Sequence, residues 1–399
     1  MKKHLGLAPA KVAGAREATG KILAFLDSHC EVNVGWYEPL AAAIEENRGT
    51  VANPIIDGIS SETFDYGGTR SFTRGVFTWG MYFAGEPYGA EDQETLRKGG
   101  NVATPAMPGG LFAIDRSFFE ELGYYDEGLR VWGGENIELS LKAWRCGGRV
   151  IFVPCSRVGH VYKAVSHHFP AGESLQKNYR RIAEVWFDDF KEIYYKSFPA
   201  ATAFPAGDLR EAHAVRQRLT CEPMSWFIEN VFPTMFVPRP VLADGMIRSG
   251  SGAKALCINT DGVEIASNPM QQPHVSPAAL RPCAELSNHN QWYLMPETQR
   301  LVHIGIWTEE CLGVRGSGKK ASVVVCQCAR YPGSGCSADE IRWKRVDGEP
   351  ELVHASTGWC LTRARKGRMI LAACNESMQK IQSWAFDERN APTGHDIEL

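Results

Sequence analysis

Two residue types that can bind a metal ion follow an apolar segment near the start of the chain. Asp27 and His29 stand two residues apart, directly after Ile22–Leu26. If this segment is a strand, its period of two turns both side chains to one face, at the carboxyl end where open α/β sheets bind ligands. An oxygen and a nitrogen ligand suit a divalent ion such as Mn²⁺, which can neutralise a departing diphosphate. The alternative is a polar turn in which Asp27 is a cap.

Three later segments supply groups of related chemistry. Gly109 and Gly110 precede an apolar run, and glycines let a backbone approach a ligand closely. Glu135 and Asn136 follow a Gly-Gly pair at a predicted helix start, where the acid alternatively serves only the helix dipole. His160 follows another apolar run and is either a third metal ligand or a structural histidine. Taken together, these groups favour a metal-assisted site over a simple turn.

Composition limits the classes of protein to which the chain can belong. Its 399 residues fit two to three domains at roughly 150 residues each, and 44% hydrophobic with 22% charged residues is typical of a folded protein. The net charge of -3 gives no support to nucleic-acid binding. Apolar stretches fall far short of the roughly 20 residues that span a bilayer, and the N-terminus lacks the apolar run of a signal peptide.

Between about Gly20 and Glu229, strand-like runs alternate with amphipathic segments, which indicates an α/β fold. The predicted strands are Lys21–Leu26, Val51–Ile56, Gly110–Ile114 and Val150–Val153. The predicted helices are Tyr37–Asn47, Arg116–Leu122, Asn136–Arg145 and Tyr179–Tyr194. A proline-containing segment at 232–244 is predicted to be an extended linker.

The C-terminal part contains three similar segments. A cysteine begins each one at positions 257, 311 and 360, and a tryptophan closes each one at positions 292, 343 and 384. Units of this length bury their cores by packing against their copies. The second cysteine is Cys283 in the first unit, Cys326 or Cys328 in the second and Cys374 in the third. Clustered cysteines favour disulfides in an oxidising compartment, with zinc sites as the alternative.

Several motifs resemble one known family. The sequence contains, in the family's order, FLDSHCE, PIID, GGLFAID, WGGEN, VGHVY and SWFIENVFP. They resemble the catalytic domain of polypeptide N-acetylgalactosaminyltransferases, and the three repeats resemble that family's ricin-type β-trefoil lectin domain. The resemblance implies an α/β fold, a partial GT-A-type doubly wound mixed sheet, followed by an all-β β-trefoil. It places the catalytic part at residues 1–231, a linker at 232–246 and the lectin domain at 247–388.

The resemblance also implies an activity. Family members transfer GalNAc from UDP-GalNAc to Ser or Thr of polypeptides or glycopeptides, with Mn²⁺ and with retention of configuration, in the Golgi lumen from a membrane-anchored form. Family catalytic domains begin well upstream of the segment that matches Asp27, so a nucleotide-binding part and an anchor are expected to be missing here. The alternative is an inactive remnant that acts only as a glycan-binding or partner-binding module.

Family roles can be carried over residue by residue. The metal ligands fall on Asp27, His29 and His160; the catalytic positions on Glu135, Asn136 and Trp132; the substrate-binding positions on Gly109, Gly110, Lys163, Trp79 and Tyr162. By this match the two glycines lie against the sugar, Glu135 orients donor and acceptor, and Trp132 belongs to a mobile loop over UDP. Trp79 and Tyr162 match aromatic positions of the acceptor groove, with core packing as the alternative.

This chain departs from the family pattern at several positions. Lys163 and His168 replace an Arg and a Tyr near the diphosphate, which should weaken donor binding because lysine lacks the bidentate fork of arginine. At the three sugar-binding aspartates of the trefoil the chain has Asn259, Gly313 and Thr362, so GalNAc binding is expected at most in the first repeat. The resemblance pairs Cys146 with Cys221 and leaves Cys155 without a partner. The disulfide candidates are Cys146, Cys221, Cys257, Cys283, Cys311, Cys326, Cys360 and Cys374.

Overall fold

The computed structural model divides the chain into two compact units. It describes residues 6–69, 72–162, 172–260, 275–286, 290–305, 309–316, 321–328, 335–345 and 349–387. Unit 1 comprises Met1–Lys191 and Ala201–Met235, and unit 2 comprises Glu192–Ala200 and Phe236–Leu399. Within the described residues, none of the helices is both long enough and apolar enough to cross a membrane.

Unit 1 contains both strands and helices. Its strands are β1 (Ile22–Phe25), β2 (Cys30–Val32), β3 (Thr50–Ser60), β4 (Tyr66–Gly67), β5 (Thr73–Phe77), β6 (Phe83–Pro87), β7 (Val102–Ala103), β8 (Phe112–Asp115) and β9 (Arg149–Tyr162). Its helices are α1 (Leu7–Glu17), α2 (Tyr37–Glu46), α3 (Ala90–Arg97), α4 (Arg116–Glu121), α5 (Glu135–Arg145), α6 (Gly172–Trp186), α8 (Arg210–Arg218) and α9 (Met224–Asn230). Helix α7 (Lys191–Ser197) begins at Lys191 of unit 1, and its other residues belong to unit 2.

A mixed sheet forms the centre of unit 1. Its strand order is β1-β8-β3-β9-β2, with β4 beside β3 and β7 beside β9. The central pair, β3 and β9, is parallel, and the outer pairs are antiparallel. Helix α2 covers one face because Leu40, Ala43 and Ile44, at helical spacing, pack against buried residues of β3, β8 and β9. The sheet is therefore mixed, as the sequence predicted.

The long ladder between β3 and β9 contains an irregularity that matters for the site. Its register shifts between Pro54 and Ile55, where three residues of β9 have no counterpart in β3. Proline has no N–H to donate to a ladder, so such breaks are common beside it. The strand nevertheless resumes and runs to Tyr162, well past Val153, where the sequence pattern predicted its end. The shifted second half of β9 carries His160.

Two helix predictions need correction. The predicted helix Tyr179–Tyr194 is wrong in its bounds: α6 begins at Gly172 and ends at Trp186, and a single turn separates it from α7. Asp188 in that turn has a φ of 51°, which an uninterrupted helix does not accommodate. Helix α1 was not predicted, because its small residues give only a weak amphipathic pattern.

Among the described residues, unit 1 contains one disulfide. It joins Cys146, just after α5, to Cys221, just before α9. The neighbouring Arg145 is fully buried and donates to the carbonyl oxygen of Glu222 at 2.6 Å and to Asp188 at 3.0 Å. Cys155 is exposed, and the structure gives it no disulfide partner among the described residues. These bonds fix the C-terminal end of α5 and so stabilise the helix whose first turn contains Glu135.

Unit 2 is built almost entirely of strands. They are β10 (Ala243–Ser249), β11 (Leu256–Asn259), β12 (Val275–Pro277), β13 (Ala279–Pro282), β14 (Trp292–Leu294), β15 (Leu301–Ile304), β16 (Glu309–Arg315), β17 (Ser322–Gln327), β18 (Trp343–Arg345), β19 (Leu352–His354), β20 (Cys360–Arg363), β21 (Met369–Ala372) and β22 (Ala385–Asp387), with a short helix α10 (Gln379–Gln382). Strand β10 begins within the predicted linker at 232–246.

The three repeats share one hydrophobic core. Trp292, Trp343 and Trp384 are all buried in it together with aliphatic side chains from every repeat. The indole N–H of Trp343 donates to the carbonyl oxygen of Leu312, and that of Trp384 donates to that of Leu361, both at 2.8 Å. In each of these two repeats the closing tryptophan is therefore bonded to the residue after the first cysteine, which agrees with the predicted all-β trefoil.

Disulfides reinforce each repeat, and the second repeat has an additional one. Cys257 of β11 pairs with Cys283, directly after β13, and Cys360 of β20 pairs with Cys374, two residues after β21. In the second repeat Cys311 pairs with Cys328, which resolves the choice between Cys326 and Cys328 that the sequence left open. Cys326 instead pairs with Cys336, a residue absent from the predicted candidates. The zinc alternative finds no support, because these eight cysteines are all in disulfides.

The additional disulfide explains why Gly313 has no side chain. A Cβ atom at this position would lie 3.1 Å from both Cys326 Sγ and Cys336 Sγ, and 3.2 Å from Ile341 Cγ2. These distances are tighter than almost all real Cβ contacts. In the second repeat, the space next to the position where the resemblance expects a sugar-binding aspartate is thus occupied by the disulfide.

We expect Gly313→Ala to lower the free energy of unfolding of unit 2 by about 1 to 3 kcal/mol, the usual cost of overpacking a core. Denaturant titration followed by tryptophan fluorescence measures it. Gly14→Ala is the control, because nothing lies within 4 Å of a Cβ there and alanine favours the helix by about 1 kcal/mol. A Gly313→Ala variant as stable as the parent would contradict this account of the second repeat.

Candidate functional site

Asp27 and His29 lie in the connection between β1 and β2, not on a strand. β1 ends at Phe25, and the chain turns at Ser28 and His29 before β2 begins. The period-two argument from the sequence is therefore wrong in its geometry, because the strand has already ended. The two side chains approach each other because the turn reverses the chain so that β2 can pair antiparallel with β9. The predicted alternative of a turn describes the backbone correctly, but the side chains still converge.

β9 brings the third residue to this turn. Cys30 of β2 pairs with His160 of β9, and the amide of Val161 donates to the carbonyl oxygen of His29 at 3.0 Å. The rings of His29 and His160 consequently lie 4.5 Å apart, centroid to centroid. One potential ligand atom from each of Asp27, His29 and His160 lies within 4.8 Å of the others. Among the described residues, this is the one group of three or more potential ligands.

The electrostatics of the cluster fit a cation site. His160 Nε2 lies 3.6 Å from Asp27 Oδ2, and this interaction, aided by Lys11, lowers the pKa of Asp27 although partial burial opposes it. The other ring nitrogen, His160 Nδ1, is buried and has no hydrogen-bond partner within the described residues. Buried polar atoms are nearly always satisfied, so an orphaned imidazole nitrogen fits a metal ligand. One carboxylate and two imidazoles accommodate a divalent first-row ion.

Gly109 and Gly110 form the wall beside Asp27. They precede β8, and the antiparallel pairing of β1 with β8 brings them to the end of β1. A Cβ atom on Gly110 would lie 2.6 Å from Asp27 Oδ2, so a larger residue would push the carboxylate aside. Gly109 has a φ of 95° and packs against Asn136. Both positions therefore require glycine for a physical reason, as the sequence suggested.

Glu135 begins α5 and is almost completely buried. It follows two glycines, and its Oε2 accepts a hydrogen bond from the amide of Gly133 at 3.0 Å. Burial raises the pKa of Glu135, whereas Lys11 and the backbone amides of Gly133 and Glu135 itself oppose this shift. A carboxylate that only capped the helix in solvent would carry no such desolvation cost. The burial of Glu135 therefore favours a role beyond its interaction with the helix dipole.

Asn136 connects α5 with the glycine-containing loop. Its side-chain amide donates to the carbonyl oxygen of Met107 at 3.1 Å, and the amide of Met107 donates to Ser140 Oγ at 3.0 Å. One face of α5 thus holds the loop that ends in Gly109 and Gly110. The structure therefore brings the predicted glycines, Glu135 and Asn136 together through α5.

Lys11 is a component of this site that the sequence reasoning missed. Its Nζ donates to the carbonyl oxygen of Gly109 at 2.6 Å and lies 5.6 Å from the centre of the Phe112 ring. Burial lowers the pKa of Lys11, while the negative charges of Glu135 and Asp27 oppose that shift. The signal available in the sequence was a single lysine within a run of small and apolar residues on α1.

The aromatic candidates separate into two groups. Trp132 and Tyr162 are at least half exposed, and the Tyr162 ring lies 4.6 Å from that of His160. Trp79 is 1% exposed and contacts Phe187 and Phe190, so the structure favours the alternative in which it is a core residue. Its indole is shielded because the β5–β6 hairpin packs onto an aromatic cluster. Lys163 and His168 lie outside the described residues.

Comparisons with known proteins give consistent matches. Residues 1–123 match the family model for glycosyl transferase family 2, and residues 94–168 match the model described as the N-terminal domain of galactosyltransferase. Polypeptide N-acetylgalactosaminyltransferase 13 of Homo sapiens is 44% identical over 255 residues, covering 62% of this chain and 46% of that protein. Probable N-acetylgalactosaminyltransferase 6 of Caenorhabditis elegans is 42% identical over 276 residues, covering 67% and 45%.

A solved structure matches nearly the whole chain. The crystal structure of GalNAc-T7 with UDP, GalNAc and Mn²⁺ is 32% identical, with a TM-score of 0.70, and the match covers 97% of this chain and 69% of that one. This agreement confirms the expected α/β part with a mixed sheet, followed by an all-β part. The chain spans about half the length of the curated relatives that it matches.

We expect Lys11→Met to strengthen divalent-cation binding at Asp27, His29 and His160. The substitution keeps the length of the side chain but removes a positive charge that acts on Asp27. Like-charge repulsion over a few ångströms near a protein surface amounts to about 1 to 4 kcal/mol, so the Mn²⁺ affinity should rise on the order of tenfold or more. Titration of free Mn²⁺ by electron paramagnetic resonance measures it.

The control for this prediction is Lys98→Met, because that lysine is exposed and pairs with Glu94 of α3. It should leave the Mn²⁺ affinity unchanged. An unchanged or weaker affinity in Lys11→Met would show that the amine does not act on the cluster.

Proposed function

The chain belongs to the polypeptide N-acetylgalactosaminyltransferase family, and from this premise we propose that it transfers GalNAc from UDP-GalNAc to Ser or Thr of a polypeptide with retention of configuration. The observation that carries the proposal is the convergence of Asp27, His29 and His160 beside Gly110 and Glu135. It would place a cation site, a glycine wall that admits a ligand closely and a buried acid near one another in unit 1. Membership rests on the match to GalNAc-T7, of which the chain covers more than two thirds.

Asp27, His29 and His160 would hold Mn²⁺. When bound, this ion neutralises the diphosphate of the donor and stabilises it as a leaving group. The Gly109–Gly110 backbone would lie against the sugar, because no side chain intervenes there. The exposed ring of Trp132 is available to cover UDP, and Lys163 matches a residue near the diphosphate. The residues of this chain thus contribute mainly position and charge, not a nucleophile.

Glu135 would orient the acceptor hydroxyl and the sugar. In a front-face reaction, the hydroxyl oxygen forms a bond to the anomeric carbon on the side from which the phosphate oxygen departs. The bond between that carbon and the phosphate oxygen breaks, and the departing phosphate takes the hydroxyl proton, so configuration is retained. A buried carboxylate held by two backbone amides suits this role because it is fixed in place before the reaction. Asn136 supports it through the Met107 loop.

The acceptor polypeptide would bind beside the exposed aromatic side chains. Tyr162 is 58% exposed and contacts His160, so an acceptor lying on it would be next to the cation site. Trp79 would not contact the acceptor directly, since it is buried in the aromatic core.

For the chain as a whole we propose a catalytic part at residues 1–231, a linker at 232–246 and a lectin domain at 247–388. In the lectin domain, GalNAc binding would be confined to the first repeat. Asn259 has an amide there, whereas Gly313 has no side chain and the short side chain of Thr362 is bonded to Gln382 and to the carbonyl oxygen of Cys360. The disulfides suit an oxidising compartment, and we propose that the reaction takes place in the Golgi lumen, at the membrane.

Transfer can be tested directly. Incubation with UDP-GalNAc, Mn²⁺ and a Ser/Thr-rich peptide should release UDP and yield a peptide heavier by one GalNAc, as seen by mass spectrometry. We expect Asp27→Asn to abolish transfer and to weaken Mn²⁺ binding more than about 100-fold, since even outer-shell changes cost up to that factor. Asp92→Asn, an exposed residue on α3, is the matched control. Full transfer in the presence of a strong chelator would refute the metal-dependent mechanism.

The pH dependence of transfer should depend on Glu135. Because burial raises its pKa, the ionised form is lost as the pH falls through this raised value. The rate should therefore decline on the acid side at a higher pH than an exposed glutamate would cause. Glu135→Gln should remove this limb and lower kcat on the order of 100-fold to 1000-fold.

Kinetics from pH 4.5 upward measure this effect, starting near the ordinary pKa of a glutamate. Glu127→Gln is the control, because Glu127 is exposed and pairs with Arg16. An acid limb that persists unchanged in Glu135→Gln would assign it to another group.

A further inference from the structure

The segment between Arg130 and Gly134 has an unusual backbone. Val131 has a φ of 61°, Gly133 of 104° and Gly134 of 87°. A β-branched residue rarely adopts a positive φ, and such conformations persist only where the surroundings over-determine them. This segment leads directly into Glu135, so whatever fixes it also fixes the position of the carboxylate.

Asn178 of α6 supplies that constraint. Its Oδ1 accepts a hydrogen bond from the amide of Arg130 at 2.9 Å, and its Nδ2 donates to the carbonyl oxygens of Arg130 at 2.9 Å and Gly133 at 3.0 Å. One side chain thus binds the backbone on both sides of Val131. Asn178 is only 2% exposed, so water does not compete for these bonds.

The chain of contacts continues from Asn178 to the acid. Gly133 accepts from Asn178 through its carbonyl oxygen and donates through its amide to Glu135 Oε2 at 3.0 Å. A side chain on Gly133 would collide with Leu175 of α6, and one on Gly134 would collide with Ile182 of the same helix. The face of α6 that carries Asn178 is therefore packed tightly against the two glycines that precede the acid.

We propose that Asn178 is a positioning residue for the transfer reaction: it clamps the Arg130–Gly134 segment so that Gly133 presents its amide to the Glu135 carboxylate. The proposal rests on the proposed function and extends it to a residue on α6. The helix begins only ten residues after Tyr162, the end of the strand that carries His160. Consecutive elements of the chain would thus set both the cation site and the acid.

Asn178→Ala tests the clamp, since it removes all the side-chain hydrogen bonds without adding a charge. We expect the amides of residues 130–134 to exchange with deuterium about tenfold faster, because the segment loses its restraint. We expect kcat to fall roughly tenfold to 100-fold, the cost of misplacing a catalytic group by about 1 Å. The KM for UDP-GalNAc should stay within about twofold, because ground-state donor binding does not need the acid in place.

Asn53→Ala is the matched control. Asn53 is also buried and donates to a backbone carbonyl oxygen, that of Ile151 at 3.0 Å, but it lies on β3 and has no bond to the 130–134 segment. It should lower the melting temperature to a similar extent while leaving both kcat and exchange at 130–134 unchanged. All assays are run at least about 10 degrees below the lowest melting temperature, so that every variant is folded during the measurement.

Two results would overturn the proposal: unchanged exchange at 130–134 in Asn178→Ala, or a kcat no lower than that of Asn53→Ala. A parent chain that transfers no GalNAc would instead refute the proposed function. In that case the exchange measurement alone still tests whether Asn178 restrains residues 130–134, since it requires neither donor nor acceptor.

Discussion

The pairing of β2 with β9 is the constraint on which the site depends. It sets Cys30 opposite His160 and brings the two imidazole rings together at the end of the sheet. A slip of one residue would turn His160 to the other face and separate the three potential ligands. The parallel ladder between β3 and β9 holds β9 in place, because β3 is buried along almost its whole length. The register shift of this ladder lies at Pro54, so the ladder is regular from Ile55 onward, where it reaches His160.

Charge compensation is the second requirement, because negative groups converge in a poorly solvated space. Asp27 and Glu135 both act on Lys11, whose ammonium group also holds the carbonyl oxygen of Gly109. A buried carboxylate without a nearby cation would take up a proton instead of remaining ionised. Helix α1 is therefore an integral part of the site. The amide of Leu7 at its start also donates to the carbonyl oxygen of Val131 at 2.8 Å.

The sequence could predict residues whose chemistry and spacing are local. Asp27 with His29, and Glu135 after two glycines, show both properties; the α/β class follows from the alternating pattern, and the mixed sheet was implied by the family resemblance. It could not predict Lys11 or Asn178, because their roles arise from contacts with residues 98 and 45 positions away. The sequence offered the core placement of Trp79 only as an alternative, because its partners Phe187 and Phe190 are distant along the chain. The predicted strand ended at Val153, before Pro154, and proline is uncommon inside a strand. In the structure Pro154 lies at the register shift, and β9 continues beyond it to Tyr162.

The trefoil repeats show how one fold accommodates different fillings of the same position. In the first repeat Asn290, two residues before the tryptophan, accepts a hydrogen bond from the amide of Thr260 at 2.7 Å; in the third, Gln382 at the equivalent position donates to Thr362. The second repeat replaces this polar pair with Gly313 beneath the Cys326–Cys336 disulfide. The replacement is compatible with the fold because the closing tryptophan and the residue after the first cysteine remain in the shared core in all three repeats. Each repeat therefore settles this position with its own neighbours, a disulfide in the second and a hydrogen bond in the third, so the polar groups that could recognise a ligand differ among the repeats.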